Sequence, residues 1–232
     1  MEIMENSIYH RTSILLGKDN IEKLKKSNVL ICGVGGVGSY VLEALTRVGV
    51  GSITIVDKDI VDVTNINRQL IALNSTIGMD KVEVAKNRCK DINPDININA
   101  LKIKIDSESI SSIFSNTNFD YVVDCVDNIE AKVAIIRYAN QYGLKCISSM
   151  GAANKLNPLE FKVSDIYKTQ MCPVAKIMRK KLKEIGIKKQ KVVYSTEQPI
   201  KNSVDNTLGS VPFVPSVCGL IIASEVVKDI IK

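Results

Sequence analysis

Residues 33–38 restrict the possible folds of this chain more than any other segment. They read G-V-G-G-V-G and stand between an apolar run at 29–32 and a helix-like run at 39–48. A β-branched strand that ends in glycines and opens into a helix lets backbone N–H groups and the helix dipole face an anion without interference from side chains. The segment therefore predicts a nucleotide-phosphate site, although by itself it does not identify the nucleotide.

Strand and helix signals alternate along the chain, as a Rossmann-like, doubly wound α/β fold with a mainly parallel sheet requires. The predicted strands are 28–33, 52–57, 96–103, 121–125, 145–149, 159–163 and 192–195. The predicted helices are 36–48, 81–92, 107–114, 129–142, 173–185 and 216–231, with Asp80 and Asp106 as caps of the second and third. The pattern changes to shorter elements after Gly151. We expect a nucleotide-binding core at 1–151 and, in the same domain, a C-terminal part at 152–232 for substrate and dimer contacts.

The composition excludes several classes of protein. Hydrophobic residues make up 45% of the chain and charged residues 24%, which excludes a disordered tail protein. Apolar runs are interrupted before they reach membrane-spanning length, and the polar N-terminus does not resemble a signal peptide, so we expect a cytoplasmic protein. With His10 as the one histidine and no C-x-x-C pair among six cysteines, neither a catalytic triad nor a zinc site is predicted.

Polar and charged residues that follow the predicted strands indicate the chemistry. Asp57 ends the second strand, where a carboxylate can bind the ribose hydroxyls, and a long polar connection follows at 59–78. NAD-dependent oxidoreductases share the glycines and this aspartate, so NAD and ATP both remain possible on these residues alone. Arg68, Lys81 and a metal held by Asp127 suit a reacting triphosphate, whereas hydride transfer needs a flat apolar slot, so nucleotidyl transfer is favoured.

Four runs of sequence resemble the ubiquitin-activating-like adenylyltransferases, the ThiF, MoeB and HesA superfamily. They are G-V-G-G-V-G-S, I-V-D-K-D-I-V-D-V-T-N-I-N-R-Q, G-M-D-K-V-E-V-A-K and D-C-V-D-N, within residues 11–151. The resemblance implies activation of a carboxylate by ATP, with Mg²⁺ held by Asp127, and a homodimer. It implies Arg11, Arg68 and Lys81 as catalytic residues, Arg11 often acting across the dimer interface. The residues expected at the ATP site are Gly33, Gly35, Gly36, Gly38, Asp57, Asp59, Asn65, Arg68, Gln69, Lys81, Asp127 and Asn128.

The C-terminal part resembles one branch of this superfamily, the tRNA threonylcarbamoyladenosine dehydratases. The resemblance rests on M-G-A, C-P-V-A, V-V-Y-S-T-E-Q-P and G-S-V-P-F-V-P-S-V-C-G-L-I-I-A. It implies that the carboxylate belongs to the threonylcarbamoyl group next to a tRNA anticodon, and that an internal nucleophile closes a ring with loss of water. Activation of a ThiS-like or MoaD-like sulfur carrier is the first alternative, although the two C-x-x-C pairs usual in those branches are absent. A missing cysteine before S-T-E also makes a sulfur-transfer partner doubtful.

A basic segment at 168–191 gives the tRNA interpretation separate support. It holds nine basic residues and one acidic residue, a net charge of +8 in a chain whose total is +6. On the helix at 173–185, one apolar face is predicted from Val174, Ile177, Met178, Leu182 and Ile185. A concentrated positive face is typical of phosphate binding, and an ordinary solvated helix face is the alternative. The residues predicted to face solvent and bind tRNA are Lys176, Arg179, Lys180 and Lys183.

Overall fold

A seven-stranded sheet in the order β3-β2-β1-β4-β5-β7-β6 forms the centre of the molecule. The structure is a computed structural model that describes residues 7–201 and 207–232. The strands are β1 Asn28–Cys32, β2 Ser52–Val56, β3 Asn97–Leu101, β4 Tyr121–Asp124, β5 Lys145–Ser149, β6 Phe161–Asp165 and β7 Lys191–Ser195. Neighbouring strands pair in parallel except β6, which is antiparallel to β7 at one edge. The predicted mainly parallel α/β class is confirmed.

Helices cover both faces of the sheet. They are α1 His10–Leu16, α2 Lys18–Lys26, α3 Gly38–Val48, α4 Lys81–Ile92, α5 Ser107–Asn116, α6 Ile129–Gln141, α7 Pro173–Glu184 and α8 Phe213–Ile231. The core beneath α2, α3, α4 and α8 includes Val29 and Ile31 of β1, whereas Leu30 and Cys32 join the core beneath α5 and α6. Because successive strand residues point to opposite faces, burial of both sets produces the continuous apolar run seen in the sequence.

Local structure departs from the sequence-based predictions at several points. The helices α1 and α2 were not predicted. Asp106 caps α5 as predicted, since its carboxylate accepts the N–H groups of Glu108 and Ser109. Asp80 precedes α4, but its side chain makes no capping hydrogen bond, so that prediction is wrong. Its carboxylate instead lies 2.6 Å from Lys102 Nζ, an ion pair that replaces the cap.

The last helix, α8, begins at Phe213, three residues before the predicted start. Pro215 falls in its first turn, where a missing N–H costs nothing. A Cβ placed on Gly219 would lie 2.4 Å from the backbone oxygen of Val37, so α8 packs directly against the segment that leads into α3. Within the described residues, no helix is long and apolar enough to cross a membrane.

Candidate functional site

A cavity of about 980 Å³ crosses the C-terminal ends of five neighbouring parallel strands, β3, β2, β1, β4 and β5. Its walls include residues 103–107, 56–59, 33 and 35–37, 125–128 and 149–153, which lie at or just after the ends of those strands in that order. Ligands of open α/β sheets bind at this edge because loops from successive strands converge there. The cavity is large enough for a nucleotide together with part of a second substrate.

The four predicted loop glycines divide into two groups. Gly33, Gly35 and Gly36 line the cavity, and Gly33 has φ +88°, a left-handed conformation that favours glycine. Gly38 is buried and does not line the cavity, and a Cβ on it would lie 1.8 Å from the backbone oxygen of Gly33. Of the three glycines in the wall, only Gly35 has open space beside its Cα, because a Cβ on Gly33 would meet the Cys125 backbone at 3.0 Å and one on Gly36 would meet Arg68 and Pro215 at 3.4 Å. Gly38 lets α3 approach the end of β1.

Two aspartates and a buried lysine stand beside the glycine loop. The carboxylate of Asp57 accepts the N–H of Val34 at 2.9 Å and that of Asp59 at 3.0 Å, which holds both segments together. Lys81 is only 5% exposed, and its Nζ lies 3.2 Å from Oδ2 of Asp59, while Lys58 reaches Oδ1. Partial burial alone would raise the pKa of Asp59, but the two lysines outweigh burial and hold that pKa below its usual value. The ammonium of Lys81 is therefore held at the cavity wall by a carboxylate that stays ionised.

The connection between β2 and α4 supplies three further cavity residues. Asn65 is buried, and its Oδ1 accepts the N–H of Asp62 at 3.1 Å, which fixes a short 3₁₀ turn. Arg68 donates from Nη1 to Thr64 O and to Asn67 Oδ1, both at 2.9 Å. Gln69 is 6% exposed, and its buried Oε1 has no hydrogen-bond partner among the described residues. A buried amide of this kind at a cavity wall fits contact with a ligand or water.

Asp127 and Asn128 lie between β4 and α6, and both are exposed at the cavity wall. Asn128 caps α6, since its Oδ1 accepts the N–H of Ala131 at 2.9 Å. In the described parts of the chain, Asp127 has no ion-pair partner, and no cluster of three or more metal-ligating side chains occurs. The carboxylate of Asp127 is thus available to a cation that takes its other ligands from phosphate and water.

Lys132 lines the same cavity and was not predicted as a site residue. It is the fourth residue of α6, is 2% exposed, and donates to Asp124 Oδ2 at 3.0 Å and to Ser149 O at 2.7 Å. Asp124 is fully buried, and its Oδ1 accepts the N–H of Val126 at 3.2 Å. In the sequence, Lys132 looks like any lysine of an amphipathic helix. The available signal was the buried strand β4, which ends in Asp124, since a buried carboxylate needs a cation.

The basic helix α7 differs from its prediction. Its buried residues are Ala175, Met178 and Leu182, whereas Ile177 and Ile185 are exposed, so the predicted apolar face was wrong for those two. Residues 175, 178 and 182 form the face of α7 that packs inward, and Ile177 and Ile185 lie outside this face.

The predicted tRNA-binding cations on α7 are not equivalent. Lys176, Lys180 and Lys183 are exposed and fall within a narrow arc of the helix. Arg179 was predicted to face solvent, but it is partly buried and donates to the backbone oxygen and the hydroxyl of Thr169, so that placement was wrong. Its Nη1 donates both of these hydrogen bonds and so joins α7 to the preceding turn.

Arg11 lies on α1, where its side chain is exposed. It is not among the described residues that line the cavity. Within one copy of the chain, the structure therefore does not bring Arg11 together with Arg68 and Lys81.

Comparison with known proteins identifies the family. The sequence profile of the ThiF family matches residues 9–232, so the chain belongs to the ThiF family, as predicted.

Similar proteins match over almost the whole chain. The tRNA threonylcarbamoyladenosine dehydratase of Bacillus subtilis is 44% identical over 97% of this chain and 94% of its own length. The structure of E. coli tRNA N6-threonylcarbamoyladenosine dehydratase, TcdA, in complex with ATP superimposes with a TM-score of 0.91 at 28% identity, covering 99% of this chain and 97% of that one. The molybdopterin-synthase adenylyltransferase of Haemophilus influenzae is 39% identical, but over only 64% of this chain and 60% of its own.

Proposed function

We propose that this protein is an ATP-dependent dehydratase of N6-threonylcarbamoyladenosine in tRNA. The observation that carries the proposal is the cavity, in which a glycine-walled phosphate site adjoins Arg68 and the buried ammonium of Lys81. The similarity to the Bacillus subtilis dehydratase extends through the C-terminal part, where a carrier-activating relative matches less of the chain. That difference in coverage favours a tRNA substrate over a protein carrier.

The proposed reaction has two steps. A carboxylate oxygen of the threonylcarbamoyl group attacks the α-phosphorus of ATP, and the bond to pyrophosphate breaks, which gives an acyl-adenylate. An internal nucleophile of the same modification then attacks the acyl carbon, AMP leaves, and the nucleoside has lost one water. Negative charge develops on the α-phosphoryl oxygens in the first step, so Arg68 and Lys81 act where that charge appears. Asp57 is assigned to the ribose and Asp59 holds Lys81. The backbone N–H groups of residues 35–37 face the phosphates, since those of residues 33 and 34 donate to Val56 and Asp57.

We further propose that Mg²⁺ binds with ATP at Asp127. The donor set fits, because Mg²⁺ commonly takes one or two carboxylates together with phosphate oxygens and water. The other carboxylates at the cavity are occupied: Asp57 by two N–H groups, Asp59 by two lysines, Glu130 by Lys181, and Asp106 by two N–H groups at the start of α5. When bound, the ion would supply charge neutralisation on the triphosphate.

The tRNA-binding surface is proposed on the basic segment. Six of its nine cations are exposed and make no ion pair among the described residues: Lys168, Lys176, Lys180, Lys183, Lys188 and Lys189. Arg179 and Lys181 are engaged with Thr169 and Glu130, and Lys191 with acidic residues of α8. Each phosphate contact steepens by close to one unit the fall of the logarithm of the tRNA association constant with the logarithm of the salt concentration. Binding of tRNA should therefore weaken steeply as salt is added. Because its substrate is tRNA, we place the enzyme in the cytoplasm.

We propose a homodimer in which a second copy covers the connection between β2 and α4. Large exposed apolar side chains concentrate there: Ile60, Val63, Ile66, Leu73, Ile77 and Met79. An apolar surface of this kind marks a protein contact. The same connection carries Asn65, Arg68 and Gln69, so a partner there would adjoin the cavity, and its Arg11 is the arginine proposed to reach ATP. Light scattering should give twice the 25.5 kDa of one chain, and Val63→Asp with Leu73→Asp should halve that mass; a monomeric wild type would refute the dimer.

The decisive experiment measures nucleoside mass. The protein is incubated with Mg²⁺, ATP and tRNA that carries threonylcarbamoyladenosine, and the digested nucleosides should show loss of one water together with AMP and pyrophosphate. An unchanged mass from protein that binds ATP would refute the proposal. Pyrophosphate release dependent on a ThiS-like or MoaD-like protein would support the carrier alternative, and tight NADH binding without ATP binding would favour an oxidoreductase.

Charge-reversing substitutions on α7 test the proposed tRNA-binding surface. Lys176→Glu, Lys180→Glu and Lys183→Glu together should weaken tRNA binding and lower the salt slope by about three. ATP binding should not change. Lys26→Glu is the control for Lys180→Glu, because Lys26 is an exposed lysine at the end of α2, outside the basic segment. If Lys180→Glu and Lys26→Glu, each made alone, lose tRNA affinity equally, the proposal that tRNA binds specifically to the basic segment is contradicted.

A further inference from the structure

The buried Lys132 at the floor of the cavity has no role in the reaction proposed above. It lines the cavity at only 2% exposure, and its side chain contacts two different strands. A lysine is rarely buried so completely, because its ammonium loses hydration, and such a residue is retained only where its contacts compensate. Its partners therefore indicate its purpose.

Those partners join the ends of two neighbouring strands. Asp124 is the last residue of β4, Ser149 is the last residue of β5, and Asp124 pairs with Ser148 in the parallel register. The Nζ of Lys132 bridges Asp124 Oδ2 at 3.0 Å and Ser149 O at 2.7 Å. The chain segments that leave these two ends, 125–128 and 150–153, both line the cavity. One ammonium group thus fixes the spacing of two segments of the site.

The same carboxylate also shapes the turn that presents Asp127. While Oδ2 of Asp124 binds Lys132, its Oδ1 accepts the N–H of Val126 at 3.2 Å. Val126 immediately precedes Asp127, and Asn128 after it is held as the cap of α6. Lys132 itself belongs to α6, so the turn is attached to the helix at both ends. The hydrogen bonds on either side of Asp127 therefore fix the position of its backbone, which carries the carboxylate.

We infer that Lys132 is a positioning residue which, through Asp124 and Ser149 O, sets the Asp127 carboxylate for Mg²⁺–nucleotide binding. The inference rests on the metal role proposed for Asp127. Lys132 binds Asp124 and Ser149 O, and it acts on Asp127 only through the turn that Asp124 holds. Partners of metal ligands commonly affect metal affinity by tenfold or more when they are removed.

The test uses a variant without an unpaired buried charge, Asp124→Asn with Lys132→Met. The asparagine oxygen can still accept the N–H of Val126, so this variant removes the bridge to Ser149 and little else. Binding of a fluorescent ATP analogue is titrated with Mg²⁺. We expect the half-saturating Mg²⁺ concentration to rise about tenfold. Binding without Mg²⁺ should change less than twofold, with the thermal midpoint within a few degrees of wild type.

A second neutralised pair provides the control. Lys191→Met with Asp229→Asn removes an ion pair of 2.8 Å between the start of β7 and the end of α8, at the opposite edge of the sheet. It should leave the Mg²⁺ titration unchanged, and an equal shift in both double variants would overturn the inference. If the first double variant does not fold, Lys132→Arg keeps the charge but cannot reproduce both contacts, so it should raise the Mg²⁺ requirement about threefold.

Asp127→Asn separates this inference from the metal proposal on which it rests. If Asp127→Asn leaves the Mg²⁺ titration unchanged, the metal role of Asp127 is wrong, and the inference is overturned with it. If Asp127→Asn raises the Mg²⁺ requirement and a folded Lys132 variant does not, only the positioning role is refuted.

Discussion

Replacing Gly38 by alanine should destabilise the fold, although Gly38 does not touch the cavity. The new Cβ would lie 1.8 Å from the backbone oxygen of Gly33, and non-bonded carbon and oxygen atoms approach to about 3.3 Å. Helix α3 and the loop must therefore separate by roughly 1.5 Å. Overpacking of this kind costs about 3 kcal/mol. At 2–4 °C per kcal/mol for a chain of this size, the melting temperature should fall by roughly 6–12 °C.

Thermal unfolding followed by circular dichroism, without nucleotide, measures this effect, and two other glycines serve as controls. Gly35→Ala places its Cβ 3.8 Å from the nearest atom, the amide nitrogen of Gln69, so it should melt near the wild-type temperature while weakening ATP binding. Gly51→Ala would meet the backbone oxygen of Lys25 at 1.7 Å, outside the cavity, and should melt as early as Gly38→Ala. Unfolding of Gly38→Ala at the wild-type temperature would refute the steric argument.

Three further predictions concern single side chains. Lys81→Met should slow pyrophosphate release at least a hundredfold with an unchanged circular dichroism spectrum, because Asp59 is exposed enough to be solvated alone; a loss under tenfold would contradict the role of Lys81. Burial alone would raise the pKa of Asp229, but hydrogen bonds from Lys191 and Tyr121 outweigh burial and lower that pKa in the folded state. The ionised Asp229 therefore stabilises the fold above about pH 4, and this stabilisation is lost as the pH falls through the lower, folded-state pKa. In Asp229→Asn, the melting temperature should fall less steeply as the pH is lowered below about 4. A fall as steep as that of the wild type would count against this role of Asp229. Asp106→Ala should cost about 1 kcal/mol by loss of the α5 cap, checked by urea unfolding, and an unchanged midpoint would exclude that contribution.

The central strands β1, β2 and β4 could be predicted because they carry apolar runs that end in glycine or aspartate. In β1, both faces are buried, so residues 29–32 leave no ambiguity. The helices α1 and α2 were missed because their sequence is mostly polar, and only Ile21 and Leu24 of α2 reach the core. Their helical state depends on packing against the rest of the molecule, which propensity alone does not reveal.

The candidate site was predictable where a motif fixes a residue to a strand end, and less so elsewhere. Asp57 and Lys81 lie at the cavity as expected, since their positions follow directly from β2 and α4. Lys132 could not be recognised, because its burial depends on the distance between β4 and β5, which no local pattern records. Arg179 was misplaced for a similar reason: its partner Thr169 lies in the turn before α7, and the periodicity of the helix contains no information about that turn.

The close approach of α8 to the glycine loop has a consequence for how the site comes into being. Gly219 lies against the Val37 carbonyl, and Pro215 would meet a Cβ of Gly36 at 3.4 Å, so the loop is supported from behind by the C-terminal helix. During synthesis, residues 33–38 leave the ribosome long before α8 exists. Contacts between such distant segments form late in folding. A nascent chain that already contains every predicted ATP-binding residue should therefore bind nucleotide only after α8 has docked.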